Sequence, residues 1–432
     1  MEDSTRILQL RREIHRLRNS PSLRLGAHIT TAIRRPWRAP FLIFSLPLIM
    51  LKIGFELLGW IAQPRALQTN ASGRLSIKGN CVVMFPTNGV GFGHFTRMLA
   101  LAKRMKNQDP SLEVIFFTTM PTLHLLKPYG IPAHHISGPK YFKGVDSEDW
   151  NALLEEELTL CIETHRPSMF IFDGAFPYRG MLRAIQGRTV LKKIWMRRGM
   201  FRKGVTIPID SIQHFDAIIH PGDGIENSLD EVDHGLEILR SSPIILLDES
   251  EFLPREKARF RLGIPLDCRA IYVQLGAGQI NDISSEIRMT LDELLKHDNL
   301  HIVLGESMIG TRIDIEIPNI HIIRDYPNSQ YFNGFDAVIQ AGGYNSFHET
   351  RAFGLPALFY PNMETGMDDQ LARCQIAEEE GWGYVVKERT PQNIQKGIVK
   401  LLGHSRNVNL TIQANGAEEL SKQLLARMKV VD

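Results

Sequence analysis

Three short runs of this sequence combine residue types that can handle a phosphate, a sugar and a proton. The first is Thr87-Asn88-Gly89-Val90-Gly91-Phe92-Gly93-His94-Phe95-Thr96-Arg97, which follows an apolar run and opens a helical one. Gly89, Gly91 and Gly93 let the chain turn tightly and let a ligand approach its backbone, and a helix start favours negative charge. The spacing is not the dinucleotide fingerprint Gly-x-Gly-x-x-Gly, because His94 stands directly after the third glycine and no acid ends the next apolar run. An NAD site is therefore disfavoured. An imidazole at such a turn suits a general base, and it equally suits a polar helix cap, so this loop alone leaves both open.

The second run, Gln274-Leu275-Gly276-Ala277-Gly278-Gln279, also lies between an apolar run and a helical pattern. Small residues there expose backbone N–H groups to phosphate, although an ordinary strand-to-helix turn uses glycine too. The third runs from Ala341-Gly342-Gly343-Tyr344-Asn345-Ser346-Phe347-His348-Glu349 through Arg351, Ala352, Gly354 and Pro356 to Asp368, Asp369 and Gln370. A diglycine turn with Asn345 and Ser346 offers donors to phosphate, and Glu349 is a carboxylate suited to a ribose diol. Asp369 and Gln370 can exchange hydrogen bonds with sugar hydroxyls. Capped helices with solvated acids would explain each piece, but not the whole order.

The elements that must position these runs are strands. In open parallel sheets, ligands bind beyond the carboxyl ends of strands. Apolar β-rich runs at 81–86, 114–118, 168–172, 191–196 and 217–220 alternate with helical patterns, and a second series follows at 270–275, 301–304, 320–323, 337–340 and 357–360. This is the signature of α/β units on parallel sheets. Between the two series, residues 221–254 carry no clean periodicity, which places a domain boundary there. The reading is an α/β protein of two doubly wound, Rossmann-like domains facing a cleft, with an N-terminal helical extension. Its divisions are 1–79 (extension), 80–240 (first Rossmann-like domain), 241–405 (second Rossmann-like domain) and 406–432 (a C-terminal helix).

Length and composition agree: 432 residues are enough for two or three domains, and 43% hydrophobic with 23% charged residues is ordinary for a folded chain. The formal charge of +2 excludes a global basic field for nucleic acid. Cys81, Cys161, Cys268 and Cys374 are far apart, without a Cys-x-x-Cys pair or zinc-finger spacing, as in a reducing compartment with neither disulfides nor structural zinc. The charge is uneven, however. Up to Pro40 there are nine arginines against three acids, so the first forty residues carry +6 and the remainder −4. Ile7, Leu10, Ile14 and Leu17 form a helical stripe among these arginines. Residues 39–62 are then apolar over about the 20 residues that span a bilayer. Lys52, Glu56 and two prolines interrupt the run, and Ser45, Lys52 and Glu56 share one narrow stripe, which fits a helix lying in a membrane interface better than a spanning or core-docked one.

With these residues in place, the chain from about Cys81 to Leu402 resembles the two-domain, nucleotide-sugar-dependent glycosyltransferases of the GT-B fold, in the branch that contains the peptidoglycan N-acetylglucosaminyltransferase MurG. Gly89 to His94 is similar to that family's glycine loop ending in His. Gly342, Gly343, Ser346, Glu349, Ala352, Gly354, Pro356, Asp369 and Gln370 are similar to its donor signature. The resemblance implies that Glu349 binds the nucleotide ribose, that Gly276 to Gln279 and Gly343 to Ser346 hold the diphosphate, and that Asp369 and Gln370 hold the sugar. Retaining relatives carry a Glu eight positions before the ribose Glu; Ala341 stands there, which implies inversion with His94 as base. Asp173 sits where some inverting relatives orient the His, or else is an Asx-turn residue. No metal or other cofactor is expected. The implied activity is transfer from a UDP-sugar to a lipid-linked or polysaccharide acceptor, on the cytoplasmic face of a membrane, peripherally bound to an anionic surface. A UDP-N-acetylglucosamine 2-epimerase-like isomerase and an inactive carbohydrate-binding scaffold are the alternatives. His124, His134, His135 and His348 receive no role.

Overall fold

The structure is a computed structural model and describes residues 20–58, 60, 79–87, 91–142, 144–197, 209–223, 236–276, 283–309, 312, 315, 317–364, 368–406 and 415–428. The stripe from Ile7 to Leu17, Gly89, and Ala277, Gly278 and Gln279 lie outside the described residues. The chain divides into two compact units, Met1–Ser76 and Ile77–Asp432.

The first unit is a helical hairpin. Helix α1 (Pro21–Arg34) starts with Pro21 in its first turn, where a missing N–H costs nothing, and the Ser20 hydroxyl accepts the Leu23 N–H at 3.3 Å. A 3-10 segment, Pro36–Phe41, carries Pro36 and Pro40. Helix α2 is Leu42–Leu57. Within the apolar run 39–62 the α-helix thus starts only at Leu42, because the prolines at 36 and 40 keep the chain in a tight turn. The polar stripe also has a different use from the one expected. Glu56 accepts from Arg24 at 2.6 and 3.2 Å, and Ser45 lies 2.8 Å from His28, so Ser45 and Glu56 face α1.

The second unit holds two parallel sheets. The strands of the first are β1 (Cys81–Pro86), β2 (Glu113–Thr118), β3 (Ala133–His135), β4 (Met169–Asp173), β5 (Lys192–Met196), β6 (Ala217–Pro221) and β7 (Glu237–Ser241). Those of the second are β8 (Arg269–Gln274), β9 (Leu300–Gly305), β10 (Ile320–Ile323), β11 (Ala337–Gln340), β12 (Ala357–Phe359) and β13 (Gly383–Val385). The first sheet has the order β3-β2-β1-β4-β5-β6-β7 and the second β10-β9-β8-β11-β12-β13. Counted from the first strand of each, both contain 3-2-1-4-5-6, the doubly wound order. The order reverses between β1 and β4 in one sheet and between β8 and β11 in the other. β1 is wholly buried and β4 likewise, as central parallel strands with helices on both faces must be. Three strands, β3, β7 and β13, escape the sequence patterns. All three are sheet edges, short and partly exposed, so no apolar run marks them. β7 falls inside 221–254, where no regular element is expected; it pairs in parallel with β6.

Helix α3 (Gly93–Gln108) covers the cleft side of the first sheet, and α4 (Ser147–His165) and α5 (Arg179–Ile185) cover the other. In the second sheet α7 (Ile283–Leu294) and α10 (Pro391–Gly403) pack on one face, with α6 (Arg255–Leu262), α8 (Tyr344–Ala352) and α9 (Gln370–Glu379) elsewhere around it. One apolar core runs from Met98 and Leu99 of α3 to Phe347 of α8 and Trp382, joining the two sheets. The terminal helix α11 (Gly416–Met428) returns to the first sheet, with Gln108 Nε2 donating to Ser421 Oγ at 2.6 Å. Gly416 is fixed by that return, since a Cβ would stand 1.8 Å from the Ser242 carbonyl.

Candidate active site

The carboxyl ends of β1 and β4 bring together two of the expected residues. Pro86 is in register with Asp173, and the Thr87 N–H donates to the Asp173 carbonyl at 3.0 Å, so the residue that ends β4 sits beside the loop leaving β1. Gly174 lets this happen: a Cβ there would meet Phe172 at 2.5 Å and Thr87 at 2.8 Å. His94, in the first turn of α3, places Nδ1 2.7 Å from Asp173 Oδ1. Arg97, one turn on, donates Nε to Oδ2 at 3.1 Å and Nη2 to Oδ1 at 2.9 Å, a two-pronged grip on the same carboxylate. Burial works to raise the Asp173 pKa, but the Arg97 and His94 charges outweigh it and hold the carboxyl below the usual range. An ionised Asp173 only accepts, so His94 Nδ1 donates in that bond, and Arg97 Nη2 also lies 2.9 Å from the same Nδ1. His94 keeps 14% of its side chain exposed against 1% for Asp173, so the imidazole is the accessible member of the pair.

Gly91 and Gly93 have ordinary φ, and a Cβ at Gly91 would touch nothing. Their backbone does not demand glycine; the space beside Gly91 is open, and a Cβ at Gly93 would touch Arg97 Nη1 at 3.6 Å. Gly276, by contrast, has φ +109°, where side chains are rarely tolerated.

The second sheet supplies the facing wall. Gln274 and Gln340 are in register, the Ala341 N–H donates to the Gln274 carbonyl at 3.2 Å, and so Gly276 and the diglycine stand side by side beyond adjacent strand ends. Gln340 donates to the Ser346 carbonyl (3.1 Å) and Thr350 Oγ1 (2.8 Å), aiming the start of α8. That helix begins at Gly343 with no side-chain cap and no acid in its first turn, so its leading N–H groups and positive dipole end face outward. Gly342 is required by packing, as a Cβ would lie 2.4 Å from Cys374 Sγ. Asn345 reaches across to the first domain, donating to the Gly93 carbonyl at 3.3 Å. Thr96 and Tyr326 hydroxyls pair at 2.9 Å, and the Arg97 guanidinium lies 5.3 Å from the Tyr344 ring centre. The His94 loop and the α8 start are therefore opposite sides of one cleft.

Glu349 lies on α8 near Ser329, Tyr272 and Tyr326. It keeps an exposed edge, yet burial pushes its carboxyl up to about 8, with the Ser329 hydroxyl pulling the other way. Further along the expected signature, Gly354 has φ +61° and, with Leu355, closes α8, while Pro356 leads into β12. These residues shape the helix end. Asp369 caps α9, accepting the Ala372 N–H at 3.0 Å, and Gln370 Oε1 accepts the Asn362 N–H at 2.9 Å. In the structure both brace the loop that leads into α9.

Sequence reasoning missed a buried ionic network behind this wall. Arg373 donates Nε to Asp223 Oδ1 (2.6 Å), Nη2 to Asp223 Oδ2 (2.5 Å) and Asp368 Oδ1 (2.7 Å), and Nη1 to the Gly342 carbonyl (2.8 Å). His348 Nε2 lies 2.8 Å from Asp223 Oδ1, and the Arg373 guanidinium lies 5.9 Å from the Tyr344 ring centre. Arg97 had a signal available, being one helical turn after His94; Asp223 and Arg373, 150 positions apart, had none. Away from the strand ends, His134, Cys161 and His165 converge closely enough to share a cation, but His134 and His165 already bond to each other at 2.8 Å.

The two reversal-point clefts and their strand order define a GT-B fold. In solved structures, the glycotransferase of kitacinnamycin (TM-score 0.56, 15% identity, 81% of this chain and 99% of that one) and a calicheamicin glycosyltransferase (TM-score 0.56, 16% identity, 81% and 98%) share it. Over 362 residues the chain is 22% identical to the UDP-N-acetylglucosamine–N-acetylmuramyl-(pentapeptide) pyrophosphoryl-undecaprenol N-acetylglucosamine transferase of Clostridioides difficile, covering 79% of this chain and 85% of that one. No family model matches. The chain thus has the GT-B fold of these glycosyltransferases and is similar over most of its length to a MurG-type transferase.

Proposed function

We propose that the protein transfers a sugar, with inversion, from a UDP-sugar to a hydroxyl of a lipid-linked or polysaccharide cell-envelope acceptor on the cytoplasmic side. The His94–Asp173 pair facing the uncapped start of α8 is the observation that carries this reading. His94 Nε2 takes the acceptor hydroxyl proton as that oxygen bonds to the anomeric carbon. The bond from that carbon to the β-phosphate oxygen breaks, and the charge that develops on the leaving diphosphate meets the N–H groups of Gly343 to Ser346. Ala341, in place of a carboxylate eight positions before Glu349, supports inversion. Incubating the protein with a panel of UDP-sugars and membrane-derived acceptors tests it: acceptor-dependent release of one UDP per sugar incorporated is expected. Sugar interconversion without UDP, or no turnover with any donor, would overturn it.

No metal is assigned to the reaction. Asp368, a candidate ligand beside the diglycine, is engaged by Arg373. Transfer is expected to survive excess EDTA, and a strict requirement for added divalent ion would contradict the mechanism.

Glu349 sets a second expectation. Binding the ribose diol needs an accepting carboxylate, and its pKa of about 8 means that UDP must displace a proton at neutral pH. UDP affinity is expected to rise by up to about tenfold per pH unit from pH 6 and to level off above about 8. Glu349→Gln removes that slope, and Glu349→Ala weakens UDP by about 10- to 150-fold, the loss of one charge-assisted acceptor. Calorimetry across pH in both variants reads the difference.

A further inference from the structure

The helical hairpin of the first unit leaves most of its large apolar side chains exposed. Its seam holds two polar contacts, Arg24 on Glu56 and His28 on Ser45, beside the buried Ala32 and Ile53, while Ile43 (75% exposed), Phe44 (73%), Leu48, Met50 and Leu51 of α2, with Lys52, and Trp37 (69%) at the bend are exposed. Water-soluble hairpins bury such apolar side chains. The window Ala39–Glu56 has a mean hydropathy of 1.6 and is only 6% buried.

We propose that this hairpin is an in-plane anchor for an anionic lipid bilayer, with the outward face of α2 among the upper acyl chains and the bend among the headgroups. Charge complementarity selects the occupant: the nine arginines and three acids of the first forty residues precede the apolar helix, an excess that attracts anionic headgroups and repels a second copy of the same segment. The bend selects the orientation. The stretch Ala39–Glu56 is long and apolar enough to cross a bilayer alone, but a spanning hairpin would have to carry Arg34 and Arg35 of its bend through the hydrocarbon layer. Trp37 beside those arginines is the residue pairing that headgroup regions favour. The proposal does not depend on the transfer reaction, because vesicle binding and UDP release are read separately.

The test is sedimentation of the full chain with phosphatidylglycerol–phosphatidylcholine vesicles and with phosphatidylcholine alone. Binding at low salt is expected to be at least about tenfold tighter to the anionic vesicles. The combined variant Ile43→Glu, Phe44→Glu, Leu48→Glu, which alters only outward side chains, should stay in the supernatant with unchanged UDP affinity. Brominated lipids should quench the exposed Trp37 and Trp60, more strongly with bromine near the headgroup than near the chain ends; Trp150, Trp195 and Trp382 are buried in the second unit. A full chain that ignores anionic vesicles at low salt, or a triple variant that pellets like the parent, would overturn the anchor. Deeper quenching from chain-end bromine would overturn its in-plane placement, and self-association lost in the triple variant without vesicle binding would assign the face to a second copy.

Discussion

Replacing His94 by Gln is expected to lower acceptor-dependent UDP release by about 10²–10⁴-fold while leaving UDP affinity within about twofold. The asymmetry follows from what the ring touches. Nδ1 is engaged by Asp173, whereas the diphosphate would lie on the N–H groups at the start of α8, which His94 does not supply. A base acts on a proton that moves only as the new bond forms, so its loss falls on turnover and not on donor binding. Asp173→Asn is a sharper probe of the pair. An amide can offer Nδ1 an N–H, which selects the tautomer with its proton on Nε2 and removes the lone pair from the cleft side. Turnover should fall without loss of UDP binding, and the variant's far-UV spectrum and melting will show whether Arg97, left with a neutral partner, still seats in the core. Near-normal turnover in His94→Gln would remove His94 from the chemistry.

How far the sequence disclosed this site depends on the reach of each interaction. The central strands were legible because they are buried on both faces and read as unbroken apolar runs, Cys81–Pro86 being the clearest. β3, β7 and β13 were not, since these edge strands are only partly buried and carry no such run. The His94 and Glu349 loops were legible because strand-to-helix turns are local and rich in glycine. Their partners were legible only in part: Asp173 stood out by ending a strand, whereas Arg97 lay unassigned in the same run as His94. Nothing in periodicity pairs Asp223 with Arg373, or turns Ser45 and Glu56 toward α1 rather than toward water. Those choices are made when elements dock, where a charge must find its counter-charge or remain unburied.

That docking chemistry gives the largest expected effect on stability. Asp223 is buried and accepts from Arg373 through both oxygens and from His348 through one. Burial alone would raise its pKa, but Arg373 and His348 hold it below the usual carboxylate range, so it stays ionised in the folded protein. Asp223→Ala leaves Arg373 in the core with Asp368 as its remaining carboxylate and should cost about 3–5 kcal/mol, read as a lowered urea midpoint. Replacing Arg373 by Met in the same chain removes the stranded charge and should recover much of that loss, since a buried pair is often matched by apolar side chains of similar volume. The pH sign follows from the two shifts. Asp223, lowered, contributes stability present above its unfolded pKa near 3.8 and lost as acid protonates it in the fold. His348, lowered by burial, is held neutral, so stability also declines as pH falls below its unfolded value near 6.5. The parent should therefore weaken progressively from about pH 6.5 downward, and the Asp223→Ala, Arg373→Met chain should lack the acid-most part of that decline. Because Arg373 also holds the Gly342 carbonyl, Asp223→Ala should weaken UDP as well, whereas a double-mutant cycle showing no coupling between 223 and 373 would mean that the network neither stabilises the fold nor sets the donor loop.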